Sequence, residues 1–233
     1  MQIKEQNMYK IINKNELKKI NQYNWFKTFA NPCYGFDVKM DVTNVVKYSK
    51  RTNTSFFINV LYLITIGLSS IEEMRIREVN GEIRLYDKIN PTFTVMTKVG
   101  LYENAGFKMI DDYQGFYQKA KEVIEVVKNQ EGVKETYNDS DQFDDYYMTC
   151  IPWLSIEGMT HPLCDNNHSS SSCPRICWDK YRVEKDIVTG ENKYIMLLNI
   201  TVSHCFVDGY PLTCAFKQIQ KNFDETDNIL NKI

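Results

Sequence analysis

No stretch of this sequence is apolar for long enough to cross a bilayer. The longest candidate, Phe56 to Leu68, is interrupted by Asn59 and falls short of the roughly 20 residues that a spanning helix needs. An excess of one charge is missing too. The 28 basic and 30 acidic residues are interspersed and give a formal net charge of -2, which lacks the basic footprint of a nucleic-acid binder and leaves a small molecule as the expected partner. The acidic run from Asp139 to Asp145 reads as a solvated loop. Gly and Pro are sparse, at 10 and 6 of 233 residues, so no linker breaks the chain and one domain over 1–233 is expected. An apolar leader is absent, since Met1 to Lys19 is polar and charged throughout. Seven cysteines, an odd number at irregular spacing, then argue for reduced thiols in a cytoplasm. The sequons at Asn53, Asn138, Asn167 and Asn199 carry no meaning there.

What remains is a chain of strand and helix signals that do not alternate strictly. Lys14 to Phe29 has helical spacing, with Leu17, Ile20, Trp25, Phe26 and Phe29 as its apolar positions and Asn31-Pro32 as its stop. Tyr34 to Val42 alternates as a strand and leads into a helix near Asn44; Ser55 to Ser70 is a largely apolar helix. Arg75 to Arg77 and Glu82 to Tyr86 flank Asn80-Gly81, a type I′ hairpin signal. A strand over Phe93 to Val99 follows, then an amphipathic helix over Asp111 to Val127 with Phe116, Ala120, Val123, Ile124 and Val127 in register. Tyr146 to Trp153 is a short strand, and Met159 to Pro174 is the least regular segment. Lys180 to Glu184 and Lys193 to Val202 form a second hairpin. The total, about eight strands and five helices with hairpins among them, implies an α/β protein in which helices cover one face of a mixed, largely antiparallel sheet.

The stretch that carries chemistry is Asn199 to Leu212. An apolar strand ends at His204, Asp208-Gly209 follows as a tight turn, and Pro211 to Phe223 is a helix with Leu212, Ala215, Phe216, Ile219 and Phe223 on one face. Histidine takes and returns a proton near neutral pH, so an HxxxDG sequence at a strand end is a place to expect a general base.

Further residues extend the pattern. His204-Cys-Phe-Val-Asp208-Gly209-Tyr resembles the HxxxDGF segment of the trimeric, type A chloramphenicol acetyltransferases. Arg84 to Val95 resembles their WDSV-x-P-x-(F/Y)TVF strand, Tyr146 to Trp153 their S-A-x-PW segment, Lys180-Tyr181 their GKY or AKY, and Met40 to Thr43 their (I/L)DIT. These fall in the family's order from about residue 10 to about 223. The resemblance implies a coenzyme A dependent acyltransferase fold, a two-layer sandwich, assembled as a homotrimer. Acetyl-CoA and an acceptor alcohol, chloramphenicol, would enter opposite ends of a tunnel between subunits. His204 would be the general base, Thr149 the oxyanion donor, and Asp208 the partner of a cation at Lys19. Trp153, Lys180, Tyr181 and Cys177 would line the coenzyme side, and Phe26, Tyr34 and Thr92 the acceptor side.

This chain departs from the family pattern at several of these positions. Thr149 stands where the family has Ser, Lys19 where it has Arg, Ser203 where it has the first His of a doublet, and Cys177 where it has Thr. Met159 to Arg175 matches it poorly. Alternatives are the same chemistry on another alcohol or thiol, as in dihydrolipoamide acyltransferases, although no lipoyl module is present, or a catalytically silent trimer. Cys164, His168, Cys173 and Cys177 could tether zinc, but their spacing fits no common motif and no metal is expected.

Overall fold

The computed structural model describes residues 9–133, 142–164 and 167–231. In chain order the elements are β1 (Tyr9–Ile12), α1 (Ile20–Phe26), β2 (Cys33–Asp41), α2 (Thr43–Thr52), α3 (Phe56–Ser69), β3 (Ile76–Val79), β4 (Glu82–Tyr86), β5 (Asn90–Met96), β6 (Tyr102–Gly106), α4 (Tyr113–Lys128), β7 (Asp145–Ile151), α5 (His168–Ser171), β8 (Arg175–Asp179), β9 (Arg182–Lys185), β10 (Asn192–Ser203), α6 (Gly209–Asp224) and α7 (Thr226–Leu230). Seven strands form one sheet in the order β2-β10-β8-β7-β5-β6, with β9 on the far half of β10; β1, β4 and β3 form a second, antiparallel sheet. The pairs β5–β7 and β7–β8 are parallel and the other pairs of the large sheet antiparallel. The fold is therefore the α/β sandwich with a mixed sheet that the sequence implies.

One hydrophobic cluster joins the elements. Phe93 and Val95 of β5, Tyr146 and Met148 of β7, Ile176 and Trp178 of β8, and Leu198 and Ile200 of β10 point into it from the sheet, and α2, α3, α4 and α6 close it from the other side. Successive strand residues face opposite ways, so Thr92, Thr94, Tyr147, Thr149 and Arg175 lie on the other face, away from α2, α3, α4 and α6; Arg175 there donates to Ser170 of the short α5. α3 is apolar nearly all round because it is the buried centre of the helix layer. Its one interruption, Asn59, is fully satisfied there: its amide donates to Ser49 Oγ and Thr54 Oγ1 at 2.9 Å each, and its oxygen accepts from Tyr113 OH at 2.6 Å. Gly67 lets α6 approach α3, since a Cβ there would meet Ile219 at 2.7 Å. Among the described residues no helix is long and apolar enough to cross a membrane.

Local signals hold where they are strong. Ser55 and Asp112 cap α3 and α4 through their side chains, and Asn80 and Gly81 have the positive φ of a type I′ turn. The helix expected over Lys14 to Phe29 is instead a 3-10 turn at Lys14–Glu16 followed by the short α1. Its buried residue is Tyr23, while Trp25 is 62% exposed. The described end of the acidic run does not stay in solvent: Asp144 is buried beside Lys108 at 2.8 Å and Asp145 opens β7, whereas Asn138 to Asp141 lie outside the described residues. The described chain holds ten strands, with β1, β6 and β8 beyond those legible in the sequence.

Candidate active site

β10 delivers His204 directly beyond its last residue. The histidine N–H donates to Pro32 O at 2.9 Å, and Phe206 and Val207 N–H fold back onto Ser203 O at 3.1 and 3.0 Å, so the backbone on both sides of the ring is fixed. The imidazole lies between two rings. Phe26 stacks on it with centroids 4.0 Å apart and planes 10° apart, and Tyr34 sits at 4.5 Å. Nδ1 is buried and has no hydrogen-bond partner among the described residues; Asp208 Oδ1 is 3.3 Å from it but outside hydrogen-bond geometry. Nε2 is therefore the nitrogen that faces outward.

Asp208 spends its charge elsewhere, on Lys19 Nζ at 2.6 Å. It occupies the N-cap position of α6 without capping it. Gly209 corrects the turn expectation: it is the first residue of α6, not a left-handed turn residue. Lys19 in turn holds the start of α1, and the other end of that helix is fixed by a buried carboxylate. Glu78 of β3 accepts from Tyr23 OH at 3.1 Å and pairs with Lys27 Nζ, which also donates to Tyr23 OH at 2.9 Å. Burial raises the Tyr23 phenol, so it stays a donor. Burial also pushes the Tyr34 phenol up to about 12, helped by the Asp208 charge, and its hydroxyl donates to Val207 O at 3.1 Å. The group His204, Asp208, Lys19, Phe26 and Tyr34 is thus one assembly.

Thr149 belongs to another. It sits on the face of β7 turned away from the helix layer, with Oγ1 2.7 Å from Thr94 Oγ1 of β5, and both line a cleft of about 130 Å³ with Thr92, Asn104, Tyr147, His161, Pro162 and Arg175. Thr92 Oγ1 donates to Asp145 Oδ1 at 3.0 Å, and burial pushes the Asp145 carboxyl up to about 6, with Asp144 adding to it. Cys177 pairs in register with Thr149 and, across β8, with Asn199; it is buried, and burial raises its thiol to about 12. Asn199 lies five residues before His204 and two strands from Thr149. At about 3.3 Å per residue and 4.8 Å per strand, His204 and Thr149 of one chain are roughly 20 Å apart. One copy cannot place both on the same reacting atom.

The third group lies past the C-terminal ends of β7 and β8. Trp153 is 66% exposed there, Lys180 is exposed with its N–H on Leu154 O at 3.3 Å, and Tyr181 packs edge-on against Phe56 and Tyr194. Among the described residues no three His, Cys, Asp or Glu side chains converge as metal ligands; Cys164 is exposed, while Cys173 is buried with Sγ 3.4 Å from Phe143 O.

Sequence reasoning passed over Thr94 and the Tyr23–Lys27–Glu78 cluster, and met His161 only as part of the Met159 to Arg175 segment that matches the family poorly. Thr94 was within reach, since it shares a strand face with Thr92; Glu78 had no local signal, because its partners come from a helix some 50 positions away.

The family model described as chloramphenicol acetyltransferase matches residues 7–220. The chain belongs to the chloramphenicol acetyltransferase family. It is accordingly an acyltransferase. A chloramphenicol acetyltransferase from Proteus mirabilis is 22% identical over 202 residues, covering 86% of this chain and 88% of that protein. One from Bacillus pumilus is 22% identical over 230 residues, covering 96% and 97%. A solved chloramphenicol acetyltransferase superposes with TM-score 0.75 at 21% identity over 92% of this chain and 97% of the other. A probable dihydrolipoamide acetyltransferase from Listeria monocytogenes follows at 0.63 and 13%, over 92% and 93%. These superpositions place the fold among the coenzyme A dependent acyltransferases.

Proposed function

We propose that the protein is an O-acetyltransferase that moves the acetyl group of acetyl-CoA to a hydroxyl of chloramphenicol, in a cytoplasm where this would confer resistance to that antibiotic. We take the chain as one domain acting in a homotrimer whose sites lie between neighbouring copies. The observation that carries the reading is the His204 assembly, an imidazole stacked on Phe26 with Nδ1 buried and Nε2 turned outward. The distance from His204 to Thr149 supports the second part, because a neighbouring copy must then supply the hydroxyl.

In this reading Nε2 of His204 takes the proton of the acceptor hydroxyl as its oxygen attacks the thioester carbonyl. The negative charge that develops on the carbonyl oxygen accepts a hydrogen bond from Thr149 Oγ1 of the neighbouring copy. Thr94 can donate to Thr149, which leaves the Thr149 hydrogen free for that role. As the tetrahedral centre collapses the carbon–sulfur bond breaks, and the imidazolium returns its proton to the coenzyme thiolate. Lys19 and Asp208 position the loop that holds the ring. Trp153, Lys180 and Tyr181 suit the coenzyme, offering an exposed indole and an amine beyond the strand ends, and the Thr149 cleft would take the acceptor. Cys177, buried beside Thr149, backs the site.

Free thiol release from acetyl-CoA with chloramphenicol as acceptor tests the reading. Wild type should release thiol and His204→Ala should fall by roughly two to four orders of magnitude. Equal rates would exclude His204 as the base.

A further inference from the structure

Residues 158–162 lie against the sheet face that carries Asp37, Asn199 and Thr149, and bring His161 into the Thr149 cleft. Its ring is held by Asn199, whose orientation is fixed by chemistry. Asn199 Nδ2 is 2.9 Å from Asp37 Oδ1 and 3.2 Å from Met159 O, and neither group can donate, so the amide nitrogen must face them. Asn199 Oδ1 therefore faces Thr201 Oγ1 at 3.0 Å and His161 Nε2 at 3.1 Å, and it can only accept. His161 Nε2 must carry the hydrogen. Burial lowers the affinity of this ring for a second proton, and the nearby Arg175 charge acts in the same direction. The neutral ring then has its lone pair on Nδ1, which has no partner among the described residues and is not sealed in the interior.

We propose that His161 is a specificity residue whose Nδ1 accepts a hydrogen bond from the hydroxyl of the acceptor that is not acetylated. This rests on the acetyl-transfer reading for its identification of the cleft as the acceptor end. Nδ1 is a pure acceptor here, so it takes a hydrogen bond from an O–H or an N–H and gives nothing to an ether or a hydrogen at the same place. His161 is a specificity residue in this scheme, not a base.

The test is equilibrium binding, without acetyl-CoA, of chloramphenicol, which carries two hydroxyls, and of its analogue with the secondary hydroxyl replaced by hydrogen. Wild type should bind the diol about three- to tenfold more tightly, the range for one neutral hydrogen bond. His161→Phe should bring the two affinities together, and His161→Gln, which keeps both an acceptor and a donor, should retain a preference. A ratio unchanged in His161→Phe, a wild-type ratio near one, or no binding of either compound would overturn the proposal. Because no turnover is read, a protein that binds the diol selectively but releases no thiol would sink the acetyl-transfer reading and leave the His161 contact standing.

Discussion

The hydroxyl at 149 shows how much one side chain is asked to do. A preorganised donor at a developing oxyanion contributes a few kcal/mol, so Thr149→Ala should lower kcat by about 100-fold with little change in KM for acetyl-CoA. Thr149→Ser should stay close to wild type, because the bond to Thr94 at 2.7 Å needs only the oxygen. Steady-state kinetics on the two variants separate hydroxyl from methyl; equal loss in both would mean that shape at 149, not its O–H, supports the reaction. The charge at 19 works differently. Its contact with Asp208 is partly open to solvent, where such pairs contribute about 1 kcal/mol or less, so its value lies in orientation. Lys19→Arg should be tolerated and Lys19→Glu should reproduce Asp208→Ala in both activity and thermal stability. Asp145 gives a pH signature. Its folded pKa of about 6 lies above the ordinary 3.8, so its contribution to stability is fully present below the unfolded value and is lost as pH rises through about 6. Asp145→Asn should remove that loss and raise the urea midpoint at about pH 8 more than at about pH 4.5. An equal shift at both values would show that the carboxyl titrates normally.

Among the elements, α1 has the most influence for its size, since it carries Lys19, Tyr23, Phe26 and Lys27 within a few turns. Glu78 should matter to catalysis although it lies in the other sheet. Glu78→Gln weakens the hold on Tyr23 and Lys27, should cost about 1–3 kcal/mol in urea unfolding, and should lower kcat through the loosened Phe26–His204 stack. Reduced stability with an unaltered kcat would show that the cluster only supports the fold. The same helix marks where the sequence is hard to read. Trp25 and Phe29 have helical spacing and apolar side chains, yet they form an aromatic shelf with Phe26 at ring distances near 5 Å that stays partly exposed in a single chain. Patterning records that a face is apolar, not whether its own chain covers it. The strands of Tyr34 to Val42 and Tyr194 to Val202, the Asn80-Gly81 turn and the helix after Pro211 were legible because each signal is local. β6 (Tyr-Glu-Asn-Ala-Gly) and β8 (Arg-Ile-Cys-Trp-Asp) were not, because their identity comes from pairing with distant strands. Among site residues, His204 and Asp208 stand in a contiguous motif, whereas His161 acquires its tautomer from Asn199, 38 positions away.

For the whole molecule, the roughly 20 Å between His204 and Thr149 makes a quantitative demand on assembly. His204→Ala removes the base and keeps the hydroxyl; Thr149→Ala does the reverse. If the two sides meet only within one chain, a mixture of these variants stays as inactive as its parts. Where each site takes His204 from one copy and Thr149 from the next, subunits unfolded together and refolded in equal amounts should recover about a quarter of wild-type activity, since each half of a site is intact with probability one half in a closed ring. Mixing the folded proteins without unfolding should recover much less over the same time if exchange is slow. Recovery near zero after joint refolding, with wild type refolding well under the same conditions, would mean that His204 and Thr149 do not share a site across an interface. The oxyanion donor would then have to be sought in the chain's own His204 assembly, where Tyr34 OH already donates to Val207 O.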